Sequence, residues 1–489
     1  MAHRDIDLLA IDRGSVTAPA GCGKTHLIAE ALKTHANRKP ILVLTHTNAG
    51  VAALRGRLER AGVPPAAYRL MTIDGWAMRL ASLFPQRSEC SANLLKLSRP
   101  QTDYPEIRRC ATRVLRGGHI DDVLRASYAG LLVDEYQDCS QHQHAMVNRA
   151  ADTLRTCVLG DPLQAIFGFG RDGLPGWDMV CSDFPIAGEL DTPWRWINAG
   201  AEELGVWLLG LREPLLAGGS IDLRTAPENV AWIALDGTED HQRRLRASQV
   251  APPSKNGNVL IIGDSRKPLS QQQFASQIPG AVTVEAVDLG DLTRFGREFN
   301  VSDGDALSCL ANFAQSVMTN VGAADLLRRV ETVRSGRARK PPNDVESAAL
   351  AFLAGPSYGA AVDVLVEISK DAGVRAYRPA VLLACFKALQ ECDAQPSSSF
   401  YDATVRVREE SRLMGRALPR RAVGSTLLMK GLEAEVAVIL NAEAMDARNL
   451  YVAMTRGAFR LVVCSRSPIL TPRPPATNLD IARLLAADV

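Results

Sequence analysis

The chain has 489 residues, of which 46% are hydrophobic and 22% are charged, and its formal net charge at pH 7 is +2. This length exceeds what one hydrophobic core usually supports, so we expect more than one domain. The composition is ordinary for a soluble globular protein, and the small net charge argues neither for nor against a polyanionic partner.

The cysteine pattern and the hydropathy exclude several other classes of protein. The ten cysteines contain no C-x-x-C pair and no His/Cys spacing that suits zinc, so we expect reduced thiols and a cytoplasmic protein. The N-terminal residues MAHRDIDLLAIDRG include no long apolar stretch, and no apolar run is long enough to span a bilayer. We therefore expect neither a signal peptide nor a membrane partner.

Short apolar runs that end in polar residues alternate with helical patterns up to about residue 165. In chain order they are SVTAPAGCGKT, KPILVLTHTN, AGLLVDEYQD and RTCVLGDPLQ. The same pattern returns at 228–235, 257–265, 434–443 and 459–467, whereas residues 291–417 have helical spacing. Runs of this kind are typical of buried parallel strands with crossover helices. They predict an α/β fold with a second α/β domain that a helical insertion interrupts.

A phosphate-binding loop is predicted directly after the first strand. Residues 18–25, APAGCGKT, fit the pattern G-x-x-x-x-G-K-[ST], with alanine at the first glycine position, and a helix follows. The main-chain N–H groups of Ala20, Gly21, Cys22 and Gly23 can bind phosphate oxygens at the helix N-terminus. Lys24 can reach the β- and γ-phosphates, and the Thr25 hydroxyl can bind Mg²⁺. A chance glycine-rich turn is the alternative, and an acidic strand end downstream disfavours it.

That acidic strand end is Asp134-Glu135, which follows the apolar run LLV. Asp134 can hold Mg²⁺ through its water shell, and Glu135 can polarise the attacking water as a general base. An isolated pair of this kind is more often a solvated strand end. Together with the phosphate loop it predicts a site for ATP and Mg²⁺.

Seven further segments each resemble a motif of the UvrD/Rep/PcrA-like branch of superfamily 1 DNA helicases, and they keep the order of that family. They are THTNAGVAALRGR (45–57), TIDGWA (72–77), VDEYQDCSQHQ (133–143), LGDPLQAIFGF (159–169), LDTPWRW (190–196), KGLEAEVAVI (430–439) and RNLYVAMTRG (448–457). The resemblance implies two RecA-like parallel-sheet domains of the P-loop NTPase class with reduced helical accessory insertions.

The domain bounds follow from this resemblance and from the element pattern. We predict a first RecA-like domain at 1–188 with a small insertion at about 78–130. A second RecA-like domain is predicted at 189–290 and 418–489, and the helical insertion occupies 291–417.

The resemblance also assigns roles within the nucleotide site. Gln137 and Gln164, just beyond two strand ends, can sense the γ-phosphate. Arg195 and Arg456 can neutralise the charge that develops on the γ-phosphoryl group when the two domains close. Glu433 is expected to contact the ribose or a catalytic arginine. Trp194 can stack on adenine, or it is a core tryptophan. Relatives carry a glutamine before the phosphate loop that recognises adenine. This chain has no glutamine in the corresponding stretch RDIDLLAIDRGSV, so its specificity for adenine stays open.

A track for single-stranded DNA is expected across both domains, with phosphate donors and base-stacking rings. The candidate residues, by the family motifs, are Thr45, His46, Thr47, Asn48, Thr72, Phe167 and Phe169. Core packing is the alternative for the two phenylalanines. Arg55 and Arg57 fit the pattern of a solvated surface pair.

The function implied is an ATP-driven helicase or translocase that moves 3′ to 5′ on single-stranded or tailed duplex DNA, in DNA repair or anti-phage defence. The short insertions also resemble those of the helicase subunit of Gabija anti-phage systems, which implies a partner nuclease of the OLD family. The alternative is therefore a DNA-sensing regulatory ATPase that controls a nuclease and unwinds little by itself. A catalytically dead scaffold is disfavoured by the intact set of nucleotide-site residues.

Overall fold

The structure is a computed structural model and describes residues 6–167, 172–264, 267–286, 288–395, 399–413 and 419–473. Contacts between Cα atoms divide the chain into two compact units. The first unit is Met1–Asp236 with Glu435–Val489, and the second unit is Gly237–Ala434. The domain bounds expected from the sequence stay a prediction.

The first unit contains a six-stranded sheet in which all neighbouring strands run parallel. Its strands are β1 (Arg13–Thr17), β2 (Ile41–Thr45), β3 (Tyr68–Thr72), β4 (Gly130–Val133), β5 (Thr156–Gly160) and β6 (Ile186–Glu189). Their order across the sheet is β3-β2-β4-β5-β1-β6. The central strands β2, β4 and β5 are fully buried, which explains their continuous apolar sequences.

Helices cover both faces of this sheet. They are α1 (Lys24–Lys33), α2 (Asn48–Arg60), α3 (Ile73–Leu83), α4 (Pro85–Ser88), α5 (Pro100–Arg116), α6 (Asp121–Ser127), α7 (Gln141–Ala150) and α8 (Trp177–Asp183). Alternate residues of β2 face opposite cores, because successive side chains of a strand point to opposite sides. Val43 packs with Ile28 of α1, whereas Leu44 packs with Trp76 of α3 and Ile107 of α5. Helix α5, which lies within residues 78–130, thus packs into the core of this sheet.

The first unit continues with short helices and two strands. They are α9 (Trp194–Ala199), α10 (Glu202–Gly210), α11 (Arg212–Leu216), β7 (Ile221–Asp222) and β8 (Val230–Ala234).

The second unit is mostly helical, as the spacing of residues 291–417 predicts. Its elements are α12 (Asp240–Ala247), β9 (Val259–Gly263), α13 (Pro268–Gln277), β10 (Ala281–Thr283), α14 (Gly290–Glu298), α15 (Ala306–Val317), β11 (Met318–Thr319), α16 (Ala323–Arg334), α17 (Asp344–Ala354), α18 (Tyr358–Lys370), β12 (Arg375–Ala376), α19 (Pro379–Ala394), α20 (Phe400–Leu413), β13 (Arg421–Ser425) and α21 (Thr426–Met429). Helices α14–α20 share one apolar core, in which the rings of Phe295 and Phe313 stack at 4.1 Å.

The chain ends, as far as it is described, with β14 (Ala434–Ile439), α22 (Ala447–Met454), β15 (Gly457–Ser465) and β16 (Ile469–Leu470). A second six-stranded sheet has the order β10-β13-β9-β14-β15-β8. Its pairs β10–β13, β13–β9 and β15–β8 are parallel. Two parallel six-stranded sheets with flanking helices confirm the predicted α/β fold class. Within the described ranges, no helix combines the length and the apolar content that a membrane span requires.

Four strands of the two six-stranded sheets were not predicted from the sequence. Three of them, β3, β6 and β10, lie at sheet edges, where a strand has one neighbour and needs less apolar sequence. Most of β6 is exposed, for example. The fourth, β13, is an inner strand whose sequence RAVGS has a short apolar run and a glycine.

Candidate nucleotide-binding site

The order of the first sheet brings three sequence motifs to one edge. Strands β4, β5 and β1 are neighbours and run parallel, so their carboxyl ends lie side by side. The phosphate loop follows β1, Asp134-Glu135 follows β4, and Asp161 follows β5. Ligands of open parallel sheets bind at such carboxyl edges.

The phosphate loop uses its glycines for backbone conformation. Gly21 and Gly23 have φ angles of +74° and +89°, in the left-handed region that a side chain would strain. Helix α1 then begins at Lys24, and no side chain caps its N-terminus. The first N–H groups of α1 are therefore available for an anion, as the phosphate-loop pattern predicts.

Lys24 lies between the two acidic residues that follow β4. Its ammonium is 2.8 Å from Asp134 Oδ1 and also forms an ion pair with Glu135 Oε1. Burial lowers the pKa of Lys24, but the two carboxylates outweigh this effect and raise the pKa above its usual range. Burial raises the pKa of Asp134, and the Lys24 ammonium opposes that rise. The lysine thus stays charged at neutral pH.

The donor set near the loop fits Mg²⁺. The Thr25 hydroxyl and the Asp134 carboxylate supply hard oxygen ligands, which this ion prefers. The described part of the chain holds no group of three or more His, Cys, Asp or Glu side chains suited to a metal. A Mg²⁺ ion would therefore need substrate phosphates and water as its other ligands. Arg57 is exposed, as predicted for a surface residue, and its NH1 donates to Thr25 Oγ1 (3.0 Å).

Glu135 is held in a defined orientation. Its φ angle of +56° is rare for a residue with a side chain, and such conformations cluster at functional sites. Gln137 Nε2 donates to Glu135 Oε2 (2.6 Å), and Asp161 N donates to Gln137 Oε1 (3.1 Å). Gln164 Nε2 donates in turn to Asp161 Oδ2 (2.9 Å). The predicted base and both predicted sensor glutamines therefore belong to one hydrogen-bond network.

The segment Trp194-Arg195-Trp196 lies against the phosphate loop. The main-chain N–H of Arg195 donates to Gly21 O (3.0 Å). A Cβ atom at Gly21 would come within 2.6 Å of the Trp196 ring, and one at Gly23 within 3.2 Å of the Trp194 ring. Trp196 is fully buried, whereas Trp194 is 39% exposed. Of the two tryptophans, Trp194 has the exposed surface that stacking on a base requires.

The two predicted catalytic arginines lie in the same unit as Lys24. Arg195 NH1 donates to the carbonyl of Thr455 (2.5 Å), the residue before Arg456. Arg456 is buried, and its guanidinium donates to Val452 O (2.9 Å) and Thr455 Oγ1 (3.0 Å). Glu433, the other predicted nucleotide contact, is exposed and lies in the second unit.

Most candidate DNA-binding residues lie at the ends of β2 and β3 or just after them. Thr45 is buried, Asn48 is exposed, and the Thr47 and Thr72 hydroxyls accept the N–H groups of Gly50 (3.0 Å) and Gly75 (2.9 Å). These two threonines are thus N-caps of α2 and α3. The rings of His46 and Phe167 lie 5.5 Å apart, which brings two predicted stacking residues together. Phe169 lies outside the described residues.

The caps give a prediction that separates stability from DNA binding. Thr47→Ala and Thr72→Ala should each lower the free energy of unfolding by about 1 kcal/mol, because each removes a cap. Asn48→Ala, next to Thr47 but with an exposed side chain, should change it by less than about 0.5 kcal/mol. Denaturant titrations measure all three. If Asn48 contacts DNA, its variant should weaken binding of single-stranded DNA at unchanged stability; equal stability losses in all three would contradict the cap assignment.

Two functional candidates escaped prediction. Arg108 of α5 donates to both carboxylate oxygens of Asp74, near the start of α3 (2.7 and 2.8 Å). It also donates to Asp172, which follows Phe167 in the sequence (2.9 Å). Arg212 of α11 donates to Asp161 (2.8 Å) and to the Tyr451 hydroxyl (3.1 Å). Arg108 is one of several arginines on the amphipathic helix α5, and such residues resemble solvated charges, so Arg108 left no signal. Arg212 left one, since it follows the apolar run GVWLLGL.

Comparison with known proteins extends part of this description. Residues 87–172 match the model of the UvrD/REP helicase N-terminal domain, a segment that contains Glu135 and Gln164 but not the phosphate loop. No curated protein sequence matches the chain. Among solved structures, the chain is similar to the Pif1 helicase from Candida albicans, with 13% identity and a TM-score of 0.42 over 100% of both chains. It is also similar to the arterivirus nonstructural protein 10, a helicase solved with DNA, with 12% identity and a TM-score of 0.27 over 54% of this chain and 50% of that one.

The chain thus spans about half the length of the arterivirus helicase that it matches. At these identities and scores the two structures add no argument about activity. The finer resemblance to the Gabija helicase subunit stays a prediction. The resemblance to UvrD/REP helicases that the motifs indicate is confirmed for residues 87–172.

Proposed function

We propose that the chain is an ATP-dependent DNA helicase or translocase of UvrD type, which moves 3′ to 5′ on single-stranded DNA in the cytoplasm. The observation that carries the proposal is the ion pairing of Lys24 with Asp134 and Glu135. These residues lie beside the phosphate loop, where no side chain caps the N-terminus of α1. The placement of the Arg195 segment on that loop supports it. The match of residues 87–172 to a helicase domain supports DNA as the second ligand.

The chemistry assigned to each residue follows from its charge and position. Binding of ATP would exchange the Lys24 carboxylate partners for the β- and γ-phosphates. Mg²⁺, held by Thr25 and Asp134, would neutralise phosphate charge. Glu135 would take a proton from the attacking water, and the Arg195 and Arg456 guanidinium groups would stabilise charge on the γ-phosphoryl group. Gln137 and Gln164 would transmit the presence of this phosphate through their shared bonds to Asp161.

DNA would bind near the ends of β2 and β3. The paired rings of His46 and Phe167 offer π faces for bases, and this kind of contact does not depend on base identity. Repair and anti-phage defence are both compatible with a motor of this kind.

The test is a strand-displacement assay with purified protein, ATP and a fluorescent duplex. We expect ATP hydrolysis to rise when single-stranded DNA is added, and a 3′-tailed duplex to separate faster than a 5′-tailed one. Blunt duplex and a non-hydrolysable ATP analogue are the controls. A rate of ATP hydrolysis that does not change when DNA is added would refute the proposed motor activity. Faster separation of the 5′-tailed duplex would refute only the proposed direction of movement.

A second candidate is a DNA-sensing regulatory ATPase that controls a partner nuclease of the OLD family. The observation in its favour is that residues 78–130 contribute helices to the core of the first sheet rather than a separate lobe for handling duplex. This candidate predicts DNA-stimulated hydrolysis with little strand separation, and co-purification with a nuclease whose activity depends on added ATP. Robust unwinding by the purified chain alone would count against it.

A further inference from the structure

Arg212 joins two motifs that lie far apart in the sequence. Its NH1 group donates to Asp161 Oδ1 (2.8 Å) and to the Tyr451 hydroxyl (3.1 Å), and the Arg212 guanidinium carbon lies 5.5 Å from the centre of the Tyr451 ring. Asp161 belongs to the segment LGDPLQ and Tyr451 to the segment LYVAMTRG. All three residues are buried and lie in the first unit.

Asp161 connects Arg212 to the proposed nucleotide site through hydrogen bonds. Asp161 Oδ2 accepts from Gln164, and the Asp161 N–H donates to Gln137, which donates to Glu135. The close packing is visible at Gly160, where a Cβ atom would come within 2.9 Å of Gln137 Oε1. A shift of Asp161 would therefore move both glutamines and, through Gln137, the proposed general base.

Tyr451 connects Arg212 to the proposed catalytic arginines through helix α22. Tyr451 lies on α22, which ends just before Thr455 and Arg456. The Thr455 carbonyl accepts from Arg195, and the Gly457 carbonyl accepts from Trp196 Nε1 (2.9 Å). Helix α22 thus fixes the main chain on which Arg195 and Trp196 are anchored.

We propose that Arg212 is a positioning residue, which fixes the sensor glutamines relative to helix α22, the helix that leads to Arg456, for ATP hydrolysis. The inference rests on the proposed function. A guanidinium suits this task, because one rigid planar group can donate to two acceptors at once. Its charge also balances the Asp161 carboxylate, which is fully buried and costly to leave without a cationic neighbour.

The nucleotide itself need not touch Arg212. Burial raises the pKa of the Cys22 thiol to about 12. The positive charge of Arg212 is the largest effect that lowers this pKa, so Arg212 acts electrostatically on the phosphate loop. Its donors, however, point to Asp161 and Tyr451. Loss of Arg212 should therefore reduce the rate of hydrolysis more than the affinity for nucleotide.

The experiment compares Arg212→Gln, Tyr451→Phe and the double variant with Arg155→Gln. Arg155 is the matched control, because it forms an exposed pair with Asp12 (2.6 Å) in the same unit. For each protein, the melting curve, the Kd of a fluorescent ATP analogue, and kcat with and without single-stranded DNA are measured. A purely structural role would lower stability and affinity together, so the split between kcat and Kd is the decisive readout.

We expect Arg212→Gln to lower kcat about 100-fold while Kd changes less than about threefold, since a small misplacement of catalytic groups has an effect of that size. Tyr451→Phe should lower kcat about tenfold, and the double variant should be no slower than Arg212→Gln, because both changes break the same contact. Arg155→Gln should match the wild type.

Wild-type kcat in a folded Arg212→Gln variant would overturn the inference, as would equal losses in kcat and affinity. If Arg212→Gln does not fold, the test rests on Tyr451→Phe, which removes only one hydroxyl group. A wild-type kcat in the Tyr451→Phe variant would then overturn the proposal. If the wild-type chain shows no DNA-stimulated hydrolysis, the proposed function fails first, and that failure is visible before any variant is compared.

Discussion

A Glu135→Gln variant is expected to hydrolyse ATP about 1,000-fold more slowly than the wild type in the presence of single-stranded DNA, because it lacks the proposed general base. Glutamine keeps the size of the side chain and can still accept from Gln137. Affinity for nucleotide should be unchanged or higher. The Lys24 ammonium, which now pairs with both Glu135 and Asp134, would lose one of the carboxylates that compete with phosphate.

Steady-state hydrolysis and binding of a fluorescent ATP analogue measure these two effects separately. Glu30→Gln is a suitable control, because Glu30 forms an exposed ion pair with Lys33 (2.8 Å) on α1, close to the loop in sequence. The control should hydrolyse ATP at the wild-type rate. Rapid hydrolysis by Glu135→Gln would show that another group activates the water, and a loss of nucleotide binding would show that Glu135 shapes the pocket instead.

An Arg195→Ala variant is expected to lose about 1,000-fold in kcat with a small change in nucleotide affinity. Guanidinium groups that stabilise charge on a transferred phosphoryl group have effects of this size. The main-chain bond from Arg195 to Gly21 does not depend on the side chain, so the phosphate loop should keep its contact with this segment. Arg195→Lys should recover only part of the rate, since an ammonium cannot reproduce the planar fork.

Arg69 provides the control for this variant. Its NH1 group also donates to a main-chain carbonyl, that of Tyr68 (2.9 Å), but the Arg69 side chain belongs to an exposed residue. Arg69→Ala should hydrolyse ATP normally. If Arg195→Ala retains more than about a tenth of the wild-type kcat, the guanidinium does not act on the phosphoryl group, and its bond to Thr455 is then a structural contact.

The core of the proposed nucleotide site is recognisable in the sequence because its residues follow local rules. Asp134 and Glu135 come directly after the apolar strand β4, and Lys24 follows the loop after β1, so neighbouring parallel strands place these residues at one edge. Strands β4 and β5 are buried, and their largely apolar sequences stand out, whereas the loop after β1 is recognised by its own glycine and lysine pattern. Edge strands such as β3 and β6 lack that signal and were missed.

Other assignments depend on which hydrogen bond a side chain makes, and residue type does not decide this. Thr47 and Thr72 were predicted as DNA contacts from family motifs, and in the folded chain both hydroxyls cap helices. A threonine before a helix is also a local capping signal, so the sequence was compatible with both roles. Arg57 is exposed, as its pattern predicts, and its guanidinium also donates to Thr25.

By itself the sequence determined the α/β class, the phosphate loop and the acidic strand end, because each depends on residues that are neighbours in the chain. Only the tertiary structure decided that Arg212 joins Asp161 and Tyr451, which are 51 and 239 positions away. It likewise decided that Arg195 and Trp196 rest on the phosphate loop. Such contacts arise where packed elements meet, and a pattern of nearby residues does not specify which buried donor will face which acceptor.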